Sequence, residues 1–138
     1  MINIILGEKG SGKTKAFIDR VNRAAVEETG NVVCIVKGSR YTFDVKSSVR
    51  MVDTSDFDLD SYKVFYGFIC GIISRDFDIT HIFIDSVTKI ANSDLEKLTA
   101  FLGYLEGVSA DFNIKFTITI SAGLANATDA IKKYMIEY

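Results

Sequence analysis

The chain of 138 residues contains no proline, one histidine and two cysteines. The absence of proline by itself points to no function. Cys34 falls in a β-like run and Cys70 in an apolar helix-like run, with no C-x-x-C spacing and no histidine nearby. Both read as small core residues of a reducing compartment rather than as a redox pair or a metal site. His81, the only histidine, precedes a β-like run and reads as a strand-entry or surface residue, with a catalytic role as the alternative. There is no basic excess: the formal net charge is −2 and the isoelectric point about 5.4, which gives no nucleic-acid footprint. No apolar run reaches the ~18 residues of a membrane span. The amino terminus enters a strand without a basic leader, so no signal peptide and a cytoplasmic location are expected.

With 48% hydrophobic and 25% charged residues, the chain reads as one globular domain, residues 1–138, able to bury a single core. It alternates strand-like and helix-like segments. Ile2 to Leu6 is a continuous apolar strand, and Lys13 to Glu28 carries Phe17, Val21, Ala24 and Ala25 on one helical face. Thr29-Gly30-Asn31 ends that helix. Val32 to Val36 is a second strand and Ser48 to Val52 a weaker third, followed by the acidic loop Asp53 to Asp60. Ser61 caps a helix from Tyr62 to about Arg75. Ile82 to Asp85 is the fourth strand. Ser93 or Asp94 starts a helix through Leu95, Leu98, Leu102 and Leu105 that ends near Gly107. Ile114 to Ile120 is the fifth strand, and Thr128 to Tyr138 a short last helix. Strands separated by helices predict a three-layer α/β/α domain with a mostly parallel five-stranded sheet.

Between the first strand and the first helix stands Gly7-Glu8-Lys9-Gly10-Ser11-Gly12-Lys13-Thr14, followed by Lys15. Glycines let the backbone take positive φ and turn tightly, so that successive N–H groups converge on an anion. The helix beginning at Lys13 adds the positive end of its dipole. In such a loop Lys13 reaches the β- and γ-phosphates of a nucleotide and the Thr14 hydroxyl ligates Mg²⁺. The competing reading is a glycine-rich β-α turn that binds nothing.

The fourth strand ends in Asp85, at the carboxyl edge where ligands sit in open α/β sheets. A carboxylate there completes a Mg²⁺ shell opposite Thr14. Together the glycine loop and Asp85 resemble the Walker A and Walker B motifs of the P-loop nucleoside triphosphatases, over nearly the full chain. The resemblance implies a P-loop core, ATP and Mg²⁺ as ligands, and catalytic roles for Lys13 and Asp85. The strand pattern is similar to the RecA-like, additional-strand branch, in which the strand after Walker B often ends in a polar sensor. Thr119 and Ser121 are the candidates for that position, against a reading as β-branched filler and a turn serine.

The sequence departs from that branch where many members carry a glutamate directly after the Walker B aspartate, because Ser86 stands there. A hydroxyl does not serve as general base at neutral pH as a carboxylate does. Asp53, after the third strand, and Glu8 are the substitutes. Lys37, Arg40 and Arg50, near the ends of the second and third strands, read as solvated charges, with phosphate contacts or an arginine finger toward a neighbouring subunit as the alternative. All five arginines, Arg20, Arg23, Arg40, Arg50 and Arg75, precede Asp85, which leaves no arginine-bearing lid of the kind kinases close. Val87-Thr88-Lys89-Ile90 lacks the aspartate of a guanine reader, so adenine is the default. The expected function is a Mg²⁺-dependent ATPase of modest rate, a homo-oligomer or partner-activated. A non-hydrolysing nucleotide switch is the second reading and a small-molecule or nucleotide kinase the third. Tyr134 and Tyr138 either dock a partner or pack the last helix.

Overall fold

The computed structural model describes residues 1–39, 41 and 44–138. The five strands are β1 (Ile2–Gly7), β2 (Asn31–Val36), β3 (Arg50–Asp53), β4 (Ile79–Ile84) and β5 (Lys115–Ser121). They form one sheet in the order β1-β5-β4-β2-β3, and every pairing is parallel. The helices are α1 (Lys13–Glu27), α2 (Tyr62–Arg75), α3 (Val87–Ile90), α4 (Leu95–Phe112) and α5 (Asp129–Tyr134).

The crossover directions explain the layers. From β1 the chain moves across the sheet through α1 to β2, whereas from β3 through α2 to β4, and from β4 through α4 to β5, it moves back. With one crossover hand throughout, α1 must cover one face and α2 and α4 the other. The cores divide in that way. Phe17, Val21 and Ala24 of α1 pack on Val32, Cys34, Val36 and Phe83. On the opposite face Phe65, Ile69, Leu98 and Leu105 pack on Ile4, Ile35, Ile82 and Ile118. Alternate residues of β2 and β4 serve alternate cores, the period-two consequence of the pleat. α5 joins the second core through Ile131. The chain therefore leaves β1 toward one face and β5 toward the other, and a crevice opens between the carboxyl ends of these neighbours.

Both sheet edges are protected. β3 has only four residues, and short edge strands offer little template for pairing. The edge of β1 is taken by the segment after α5, where the Ile136 amide donates to the Ile4 carbonyl at 2.9 Å and Met135 bridges Ile4.

Several boundaries differ from the sequence expectations. α5 stops at Tyr134 rather than Tyr138, because the following residues leave the helix to pair with β1. α4 runs to Phe112 rather than ending near Gly107; Gly107 lies on the outer face, and the stop is Asn113 in the left-handed conformation at φ 55°. β3 begins at Arg50, not Ser48, so Arg50 stands at its amino end. β4 starts three residues before Ile82 and includes His81. Among the described residues no helix is long and apolar enough to cross a membrane.

Candidate functional site

The glycine loop occupies the crevice between β1 and β5. Gly7 closes β1 in register with Ser121 of β5. Gly10 and Gly12 have φ of 85° and 89°, and a Cβ at either would meet open space. Backbone handedness, not crowding, selects glycine at these positions. Gly7 is the reverse case: a Cβ there would collide with the Ser11 and Tyr138 hydroxyl oxygens. The Ser11 amide donates to the Glu8 carbonyl at 3.2 Å, tightening the turn. Gly12 is the N-cap of α1, which has no side-chain cap and no acidic residue in its first turn. The first-turn amides of a 15-residue helix are thus open to an anion. A group bearing negative oxygens fits these donors.

Around the loop, Lys13 is half-buried while Thr14, Lys15 and Lys9 are exposed. Lys13, Thr14 and Lys15 line a cleft of about 670 Å³ that Asp19 and Asp44 also enter. Lys15 pairs with Asp19 at 3.1 Å along α1, and both are well exposed. Glu8 lies against the loop after β5, its Oε1 standing 3.2 Å from where a Cβ on Gly123 would be. The Tyr138 hydroxyl donates to the Leu6 carbonyl at 3.0 Å and shares a hydrogen bond with Ser11 Oγ at 3.0 Å. Tyr138 is thereby tied to the loop itself, a placement not signalled by the sequence, which reads it as the end of the last helix.

Asp85 follows β4 and is nearly buried. The Thr119 hydroxyl, fully buried on β5, donates to Asp85 Oδ1 at 2.8 Å and accepts from the Ser86 amide at 2.6 Å. Ser86 has φ 53° and ψ 56°, left-handed for a residue with a side chain, and is the N-cap of α3. Such a conformation costs on the order of 1–3 kcal/mol and is held by its surroundings. Of the two sensor candidates, Thr119 is therefore committed to Asp85, while Ser121 is exposed at the end of β5. Asp85, Ser86, Lys37 and Lys89 line a small cavity of about 140 Å³, and Lys37 Nζ donates to the Lys89 carbonyl at 3.3 Å. Burial, and then the charge of Asp85, push the Cys34 thiol up to about 12. Cys34 stays a protonated core residue.

Asp53 is not brought to the glycine loop. It ends β3 at the far edge of the sheet, and four inter-strand spacings make roughly 19 Å. Its Oδ1 accepts from the Gly38 amide at 2.9 Å, the Ser55 amide at 2.9 Å and the Ser55 hydroxyl at 2.6 Å. These bonds, from the Ser55 hydroxyl first, hold its carboxyl below the usual range. Arg50 pairs with Asp76 at 3.4 Å near the amino end of the sheet, and Arg40 lies outside the described residues. His81, expected as a strand-entry or surface residue, is the third residue of β4 and is buried: Nε2 is 2.8 Å from Thr117 Oγ1 and the ring stacks on Phe83 at 4.0 Å. Burial lowers its pKa to about 4, so the ring is neutral at pH 7.

Sequence reading missed Asn22 and Asp44. The Asn22 side chain donates to the Asp44 carbonyl at 2.9 Å and accepts from the Lys46 amide at 2.8 Å. It staples the β2–β3 connection beside the glycine loop. That connection has no periodicity, so no local pattern announced the contact. Neither a scan against family models nor a search of curated proteins finds a match for this chain.

Proposed function

We propose that the chain is a P-loop protein of the additional-strand type that binds ATP with Mg²⁺ and hydrolyses it at a modest rate. One arrangement carries this reading: a loop with two left-handed glycines running directly into an uncapped helix, with β5 between that loop's strand and β4, which Asp85 directly follows. Main-chain amides of the loop and Lys13 would hold the phosphates, while the Thr14 hydroxyl and the Asp85 carboxylate would hold Mg²⁺. The ion would supply charge neutralisation at the transferring phosphoryl group. Thr119 keeps Asp85 in one orientation, a positioning role rather than contact with nucleotide.

A second reading, a nucleotide-binding switch with little turnover, is favoured by Ser86. It occupies the position where a carboxylate would orient water, and its amide is engaged with Thr119. Steady-state phosphate release with Mg²⁺-ATP separates the two. Slow turnover lost in Lys13→Ala supports the enzyme. Saturable nucleotide binding without Lys13-dependent release supports the switch.

A further inference from the structure

We propose that the outer face of α2 and α4 pairs two copies of this chain antiparallel, about a two-fold axis at Tyr104. The surface lies on the sheet face opposite α1, so the inference is independent of the nucleotide reading. It begins with a solvent-facing stripe on α4. Lys97, Ala100, Tyr104, Gly107 and Asp111 are all exposed, and their spacing of three, four, three and four residues is that of a helix-packing seam. Tyr104 stands at the centre, seven residues from Lys97 and seven from Asp111. Those two ends are about 21 Å apart at 1.5 Å per residue.

The neighbouring groove on α2 has the same polarity. A cleft of about 460 Å³ between the helices is lined by Lys63, Tyr66, Lys97 and Tyr104. A second, of about 310 Å³, shares Tyr66 and is lined by Phe77, Asp111 and Phe112. Lysine is the charge in the first and aspartate in the second. Tyr66 supports Tyr104 with ring centroids 5.4 Å apart, and Tyr104 remains 60% exposed, Phe77 74%. Adjacent apolar clefts of this kind mark an interaction surface.

A second copy turned by two-fold symmetry answers each feature at once. Lys97 of one copy meets Asp111 of the other, twice per dimer, and the two Tyr104 rings meet at the axis. Ala100 comes within one residue's rise of Gly107, so small residues flank the axis on both helices. An isologous interface requires this self-complementarity. A parallel pairing would set lysine on lysine and aspartate on aspartate, which is repulsive.

Sedimentation of the wild type, Lys97→Asp, Asp111→Lys and the double reversal tests the proposal. The wild type is expected at twice the 15.3 kDa chain mass. Each single reversal should weaken association about tenfold or more, since symmetry doubles every like-charge contact. The double reversal should restore it to within about threefold, which a folding defect would not do. A wild-type monomer at about 100 µM, single reversals without effect, or a double reversal that fails to rescue would each overturn the interface.

Discussion

Thr119 on β5 and Asp85 after β4 are joined by a 2.8 Å hydrogen bond, and the same hydroxyl accepts from the Ser86 amide. One buried threonine thus fixes both the carboxylate and the left-handed turn that follows it. Replacing it with the isosteric valine leaves a buried amide without its acceptor and removes a donor from Asp85. Thr119→Val should lose about 1–3 kcal/mol of stability, read as a lower urea midpoint. Thr119→Ser should recover most of it. A valine variant as stable as the wild type would contradict this account of the turn.

Asp85 and Asp53 should separate in function. Asp53 is occupied by Gly38 and Ser55 at the far edge of the sheet, whereas Asp85 stands at the carboxyl end of β4, held by Thr119. Asp85→Asn is expected to weaken the Mg²⁺ dependence of nucleotide binding by about tenfold or more, through loss of an anionic ligand. Asp53→Asn should leave affinity within about twofold. Equal losses in the two variants would refute the assignment.

Much of this arrangement was legible in the sequence, and the reasons are local. Gly10 and Gly12 announce a turn because only glycine takes φ near 85–89° without cost. Ser61 announces α2 because its side chain accepts from the Val64 amide at 3.1 Å. What was not legible depends on contacts between strands distant in the chain. The Thr119–Asp85 bond arises only once β5 lies between β1 and β4. His81 reads as a strand-entry or surface residue by itself and becomes buried because β4 extends back past it. The end of α5 is decided by the edge of β1, which competes for Met135 and Ile136.

His81 gives the fold a pH dependence. Unfolded, the imidazole takes its proton near pH 6.5; folded, burial holds the pKa at about 4. Between those values the unfolded chain binds more protons, so the contribution is complete above pH 6.5 and is lost as pH falls toward 4. Its full size is on the order of 3 kcal/mol. Urea midpoints measured from pH 7.5 to 4.5 should fall more steeply for the wild type than for His81→Gln. Parallel curves would sink the explanation.

Asn22 should govern the β2–β3 connection beside the glycine loop. Asn22→Ala removes both hydrogen bonds to that segment, and partners lost from a loop raise its local opening. Limited proteolysis should cut the variant between Asp44 and Val49 several-fold faster, with other sites unchanged. An unaltered cleavage pattern would show that the staple is unimportant.

The proposed nucleotide site stands on the amides of Gly7 to Thr14 and on Lys13 as the groups that hold a polyphosphate. Calorimetric titration of the intact chain with ATP and excess Mg²⁺ tests it most directly. A saturable single-site heat is expected for the wild type, with affinity at least about tenfold weaker in Lys13→Ala through the loss of a charge-assisted contact. A flat wild-type titration, or one that Lys13→Ala leaves unchanged, would contradict it.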